Sequence, residues 1–205
     1  MRIPSESLRD RWLEAALPLV ESEGWTDAVM RRAAENADLS EGEQALAAPN
    51  GVNDLIEHLF ELAADEMLAQ LAVHDMDSLR MHERVAAGVR AWLNALEPNK
   101  VAVRKAAGRG MLPWGAGAAS RRVWRVADAI WEAAGDTATD YNRQTKRALL
   151  SAVIPGIVLR WLAGFEGDAL DALIMKRLKQ AMKLGQTGAK VFKPLFDALA
   201  GLRRG

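Results

Sequence analysis

The sequence predicts an all-α fold, because apolar residues recur at helical spacing in one segment after another. From Val123 to Ala134 they fall at i, i+1, i+4, i+7, i+8 and i+11, which gives a helix one broad apolar face. Glycine or proline ends many of these segments, as at Gly24 and Gly135. With 205 residues, 50% of them hydrophobic and 26% charged, the chain is long enough for one well-buried globular domain.

The first fifty residues predict a long helix, a short helix, a tight turn and a second short helix. The long helix runs from Ser5 to Glu23, Thr26 or Asp27 caps the next, and Ser40 caps a third that ends near residue 47. This is the layout of a helix-turn-helix head. The segment 13–46, LEAALPLVESEGWTDAVMRRAAENADLSEGEQAL, resembles the N-terminal domain of tetracycline-repressor-type regulators.

The same head lacks the residues that read DNA. Phosphate contacts need Lys or Arg, and base contacts need polar side chains that reach into a groove. Residues 37–53 contain no Lys or Arg, and they carry Asp38, Glu41 and Glu43. Gln44 is the only plausible base-reading side chain. We therefore expect the fold of the head to be retained and DNA binding to be lost.

A long helix is predicted from Val52 to about Val73, and further helices over residues 82–96, 100–109 and 168–184. Residues 148–163 are apolar on nearly every side, which predicts a buried central helix. A membrane span is the alternative, but sixteen residues fall short of the roughly 20 that cross a bilayer. Pro155 and Gly156 predict a kink or a break within this helix.

The C-terminal segment follows a flexible break at Gly185–Gly188. Its apolar residues recur at helical spacing between flanking Lys and Arg, which is typical of a helix that lies on a membrane surface. Docking on its own domain or on a dimer partner is an equally open interpretation. The apolar residues of this segment are Phe192, Leu195, Phe196, Leu199 and Leu202.

The chemistry-bearing residues give little support for catalysis. The chain has no cysteine, which excludes disulfides, thiolate metal sites and a cysteine nucleophile. Its three histidines form no Glu-x-x-His arrangement, and Asp54 with His58 is only a weak metal pair. We therefore nominate no catalytic residue and no metal ligand.

The net charge of zero hides a division between the two halves of the chain. Residues 1–80 hold 6 Lys and Arg against 17 Asp and Glu, whereas residues 81–205 hold 21 against 10. A basic second half suits an anionic partner, and complementarity within the molecule or across a dimer explains the pattern equally well.

The segment 129–153, AIWEAAGDTATDYNRQTKRALLSAV, resembles the ubiquinone-biosynthesis accessory family known as coenzyme Q protein nine. The family carries W-x-x-A-G-D-x-x-T-D-[FY]-N-x-x-T-[KR]-R-x-[LM]-L, and the resemblance extends along nearly the whole chain. The matching residues here are Trp131, Ala134, Gly135, Asp136, Thr139, Asp140, Tyr141, Asn142, Thr145, Lys146, Arg147, Leu149 and Leu150.

This resemblance implies a tetracycline-repressor-like bundle with three parts. They are a degenerate helix-turn-helix head over 1–50, a helical lipid-binding domain over 51–185, and a linker with an amphipathic membrane-surface helix over 186–205. It implies a non-catalytic homodimer without a cofactor, which binds an isoprenoid quinone or phospholipid and presents quinone intermediates to a ring hydroxylase. A peripheral position on the inner face of a bacterial inner membrane is expected, or the matrix side of a mitochondrial one.

The resemblance also suggests which residues act. The residues expected to contact lipid are Met111, Leu112, Trp114, Trp124, Leu150, Val153, Ile154 and Ile157. The residues expected to dock the hydroxylase are Ile130, Trp131, Asp140, Arg143, Gln144 and Arg147. Mitochondrial members place an aromatic pair where this chain has Arg143 and Gln144, which puts the identity of the partner in doubt. The alternative function is a lipid-responsive transcriptional regulator.

Overall fold

The computed structural model describes residues 4–110, 116–137 and 141–183, and within these ranges the regular structure is helical. The all-α prediction is confirmed. Single 3₁₀ turns lie at Met76–Ser78 and Glu97–Asn99. The α-helices are α1 (Pro4–Glu23), α2 (Asp27–Asn36), α3 (Glu41–Ala47), α4 (Val52–Ala72), α5 (Met81–Leu96), α6 (Lys100–Gly110), α7 (Ala116–Ala133), α8 (Tyr141–Leu162) and α9 (167–183).

The described residues form two compact units. The first takes the chain up to His74 together with Ala91–Arg125, and the second takes Asp75–Arg90 together with the chain from Val126 onward. Both α5 and α7 therefore contribute residues to both units. The boundaries predicted at residues 50 and 185 divide the chain by function rather than by packing, and they stay a prediction.

In the first unit, α1 packs against α2, α3, α4 and α6. Two buried tryptophans anchor these contacts through their indole N–H groups. Trp12 donates to the carbonyl of Met30 over 2.9 Å, and Trp25 donates to the carbonyl of Ala102 over 2.9 Å. A buried indole N–H needs such a partner, because an unpaired donor away from water is costly.

The helix-turn-helix layout predicted for the head is present. Thr26 caps α2 by accepting a hydrogen bond from the backbone N–H of Val29 at 3.2 Å. Ser40 and Glu43 form a reciprocal capping box at the start of α3. Asp38 takes φ +51° in the turn between the two helices, and the neighbouring Leu39 is buried.

In the second unit, α8 is continuous through Pro155, so the predicted break of this helix is wrong. Proline removes one backbone donor and loosens the preceding turn. Burial on both sides of Pro155 holds the helix together nonetheless, because Ile154, Ile157 and Trp161 are each at most 1% exposed. No helix of the described residues is long and apolar enough to span a bilayer.

A close helix contact in the second unit depends on Gly88 in α5. A Cβ built on Gly88 would lie 2.9 Å from Cγ2 of Ile130 in α7, closer than Cβ contacts in real proteins. Ile130 is itself fully buried, so it has little room to move away. Only glycine allows the two helices to approach this far.

We therefore expect Gly88→Ala to lower the free energy of unfolding by about 1–3 kcal/mol, because it overpacks a filled core. Gly156→Ala is the matched control, since Gly156 also lies in a helix of the second unit and nothing lies within 4 Å of its added Cβ. That change is expected to be neutral or to stabilise by up to about 1 kcal/mol. Urea unfolding measures both, and equal effects would contradict the close-contact argument.

Candidate functional site: the corner between α7 and α8

The corner begins where α7 ends, at Gly135. This residue takes φ +83°, which a residue without Cβ adopts at no steric cost. The backbone N–H of Asp136 donates to the carbonyl of Trp131 over 3.0 Å, and that of Gly135 donates to Glu132 over 2.9 Å. The predicted glycine cap is confirmed. Thr137, Thr139 and Asp140 precede α8 and carry oxygens that suit a helix N-cap, but Thr139 and Asp140 lie outside the described residues.

A buried ion pair joins the two sides of the corner. The side chains of Arg147 and Asp136 are only 2% and 3% exposed, and Nη1 of Arg147 lies 3.0 Å from Oδ2 of Asp136. The other carboxylate oxygen of Asp136 lies 2.6 Å from Nζ of Lys146. Arg147 also donates through Nε to Asp128 in α7. Two carboxylates from one side of the corner thus neutralise two cations from α8.

Protonation behaviour follows from these contacts. Burial alone would raise the pKa of Asp128, but hydrogen bonds from Arg147 and Arg143 outweigh it and hold that pKa below its ordinary value. Burial alone would lower the pKa of Arg147, but its two aspartate partners raise it instead. The stabilising contribution of Asp128 is thus present above about pH 4 and is lost as the pH falls through its depressed pKa.

The outer rim of the corner is a second set of contacts around Trp131. Its indole N–H donates to the carbonyl of Lys146 over 3.1 Å, and Nζ of Lys146 lies 5.3 Å from the ring centroid. Arg143 reaches back across the corner to α7, where its Nη2 lies 3.0 Å from Glu132 and 3.3 Å from Asp128. The first turns of α8 are thereby tied to the end of α7.

The residues predicted to dock a partner fall into two groups. Ile130, Trp131 and Arg147 are buried, at 0%, 8% and 2% exposure. Arg143 is partly exposed and Gln144 is exposed, so among the described members of the predicted docking set these two have accessible side chains. Asp140 lies outside the described residues. The docking role of all six stays a prediction.

The residues predicted to contact lipid are similarly divided. Leu150, Ile154 and Ile157 are buried in α8 of the second unit, and Val153 is half-buried. Trp124 belongs to the first unit and is 37% exposed. The remaining lipid candidates, Met111, Leu112 and Trp114, and the whole predicted membrane-surface set lie outside the described residues.

A set of linked ionisable groups in the first unit was not predicted from the sequence. His58 of α4 is 5% exposed, and its Nε2 lies 2.7 Å from Oδ1 of Asp10 in α1, while its Nδ1 lies 3.7 Å from Glu61. Glu61 lies 2.9 Å from Arg125 of α7. The i, i+3 spacing of His58 and Glu61 was visible in the sequence, but the partner 48 residues away was not.

Metal binding gains no support from these groups. The weak pair considered above is not formed, because Asp54 accepts a hydrogen bond from the backbone N–H of Asn50 at 2.8 Å while His58 pairs with Asp10. Among the described residues there is no group of three or more His, Asp or Glu arranged to hold a metal ion.

The side chains of the head that could face DNA are already engaged. Glu43 accepts hydrogen bonds from the hydroxyl and the backbone N–H of Ser40, and these lower its pKa, so it stays charged near neutral pH. Nε2 of Gln44, the one plausible base-reading group, donates to the carbonyl of Leu39 over 2.9 Å. This bond holds the Gln44 side chain against the turn and uses one of its two amide N–H donors.

Comparison with known proteins agrees with this architecture. The family model described as COQ9 matches residues 116–185, which hold the corner and the helices on both sides of it. The resemblance to the COQ9 family is confirmed. The chain is 27% identical over 205 residues to the mitochondrial ubiquinone biosynthesis protein COQ9 of Homo sapiens, and 28% identical to that of Bos taurus. Each alignment covers 95% of this chain but only 63% of the relative, so the chain spans less than two thirds of their length.

The fold has a counterpart among solved structures. A TetR transcriptional regulator from Nitrosomonas europaea superposes with a TM-score of 0.66 and 20% sequence identity, covering 86% of this chain and 98% of the regulator. At this identity the likeness concerns the fold alone. The predicted tetracycline-repressor-like fold is confirmed.

We expect Arg147→Met to lower the free energy of unfolding by about 3 kcal/mol, because it removes one of the cations that neutralise the buried carboxylate of Asp136. Arg143→Ala, which removes a partly exposed cation from the same corner, is expected to cost less than about 1 kcal/mol. Urea unfolding at neutral pH compares the two variants. Equal losses would show that the burial of Arg147 is not what stabilises the corner.

Proposed function

We propose that this protein is a non-catalytic accessory protein of ubiquinone biosynthesis. The observation that carries the proposal is the similarity to COQ9 proteins along 95% of the chain. The part that the family model matches, residues 116–185, also holds the buried ion pair of the corner. The chain therefore keeps both the family's sequence pattern and a folded corner built from it.

The arrangement of the charged residues supports a non-catalytic role. The buried ionisable groups described at the corner neutralise one another as ion pairs. In the first unit, His58 is held between Asp10 and Glu61, which leaves neither of its ring nitrogens clear of a carboxylate. These contacts stabilise helix packing and provide no acid-base pair directed at a substrate.

In this proposal the protein binds an isoprenoid quinone or a phospholipid and presents a quinone intermediate to a ring hydroxylase of the pathway. The hydroxylase would meet the corner at Arg143 and Gln144, the two accessible members of the predicted docking set. Apolar contacts to the lipid would come from the predicted residues of α8 in the second unit, and Trp124 is a separate predicted contact in the first unit. The protein would act as a homodimer at a membrane surface, through the predicted C-terminal helix.

A lipid is therefore expected to co-purify with the protein. Extraction of the purified protein into organic solvent, followed by mass spectrometry, should find a quinone precursor, another isoprenoid or a phospholipid. Trp124→Ala should reduce the bound lipid severalfold. Leu159→Ala is the matched control, because Leu159 is a 60% exposed apolar residue outside the predicted lipid set. A lipid-free extract, with no uptake of added quinone, would contradict the proposal.

The alternative is a lipid-responsive transcriptional regulator, which the likeness to a TetR regulator favours at the level of fold. Against it stand the acidic residues Glu41 and Glu43 of α3 and the engagement of Gln44 by the turn. The two carboxylates repel a polyanion, and the bond to Leu39 holds the side chain of Gln44 against the turn.

We expect no mobility shift of genomic DNA fragments at low salt, where phosphate contacts are strongest. The double variant Glu41→Lys, Gly42→Lys serves as a positive control, because it adds two cations to exposed positions of α3. Binding by the natural sequence that weakens steeply with added salt would reverse the assignment in favour of the regulator.

A further inference from the structure

Trp92 in α5 has a buried indole N–H without a hydrogen-bond acceptor. Its side chain lies in the first unit, and the residue is 3% exposed. A polar group left unpaired away from water is costly, and nearly all such groups in native proteins find a partner in protein, water or ligand. The missing acceptor of this donor therefore needs an explanation.

Two other buried tryptophans of the first unit differ from Trp92, because their indole N–H groups are paired. Trp12 and Trp25 are each 4% exposed, and both indole N–H groups are paired to backbone carbonyls at 2.9 Å. Trp92 is as deeply buried as these two and has the same single donor. The other buried atoms of this unit without a hydrogen bond, on Glu57 and Arg109, belong to side chains that make other polar contacts.

One aromatic ring lies beside the indole of Trp92. The ring of Phe60 in α4 lies 6.0 Å from that of Trp92, tilted by 31°, and Phe60 is itself only partly buried. Arg122 lies over Phe60 at 5.7 Å. Its charge is balanced by Glu57, at 3.4 Å, in the turn of α4 that precedes Phe60. Arg122 is already engaged by Glu57, and the unpaired group is a neutral N–H donor, so we take its acceptor to be a neutral oxygen.

We propose that the indole N–H of Trp92 is a ligand-binding donor that accepts a neutral carbonyl oxygen of a bound lipid, with Phe60 beside the group that carries it. A quinone ring fits this chemistry, because it brings carbonyl oxygens and a flat face that packs against an aromatic ring. The ester carbonyl of a phospholipid is the alternative acceptor for this N–H group. The inference rests on the proposed lipid binding and adds the residue that recognises the polar end.

The test observes the donor directly in the full chain. Nitrogen-15 labelling gives one indole resonance for each of the seven tryptophans, and Trp92→Phe identifies the one that belongs to Trp92. Decylubiquinone should move the Trp92 indole proton downfield, as a new hydrogen bond does, while the resonances of Trp12 and Trp25 stay in place. n-Decane, which carries no oxygen, should not produce this shift.

Binding measurements complete the test. Trp92→Phe should bind decylubiquinone about fivefold more weakly, the effect of one lost hydrogen bond. Trp25→Phe, which removes an indole N–H already paired within the protein, should bind it as the natural sequence does. A short-chain phosphatidylcholine that shifts the Trp92 resonance when the quinone does not would keep the donor site and assign the ester carbonyl as its acceptor.

Two failures are distinguishable. If the natural protein takes up quinone but the Trp92 resonance does not move with either probe and Trp92→Phe binds normally, this inference is overturned and the proposed function stands. In that case the donor meets only a water molecule. If the natural protein takes up neither quinone nor phospholipid, the lipid-binding part of the proposed function is contradicted, and the inference about Trp92 falls with it.

Discussion

The second unit depends on the burial of one arginine. Removing the guanidinium of Arg147 from water is expensive, and the cost is offset only because Asp136 and Asp128 both lie against it. The two carboxylates come from the end of α7 and from just beyond its glycine cap, so the ion pair forms only if the chain turns at Gly135. The need to neutralise Arg147 thus fixes how the end of α7 and the start of α8 are oriented, and it holds Trp131 at their junction.

The local features of the fold could be predicted from the sequence. Apolar spacing located the helices, and the caps at Thr26, Ser40 and Gly135 have the chemistry that ends or begins a helix wherever it occurs. The break predicted at Pro155 is wrong because burial of the residues on either side outweighs the local effect of proline. Local rules succeed where the interaction is local and fail where packing across the unit decides.

The candidate site was less predictable for the same reason. The sequence motif indicated that Arg147 matters, but not that it lies beneath the surface while Arg143 and Gln144 remain accessible. The pairing of Asp10 with His58, and the unpaired indole of Trp92, depend on neighbours that are distant in the chain. Which polar groups are satisfied is a property of the assembled helices, and no pattern within one helix reports it.

The hydrogen bonds between the head and α6 bear on whether the head is a module. The indole of Trp25 is paired to Ala102, and the backbone carbonyls of Ser22 and Trp25 accept from Lys105 and Arg109. A chain that ends after α4 would lack α6. The apolar side of Trp25 would then be exposed, and its indole N–H would lose the carbonyl of Ala102. The packing of the helix-turn-helix therefore depends on α6, and we expect these helices not to fold as a separate module.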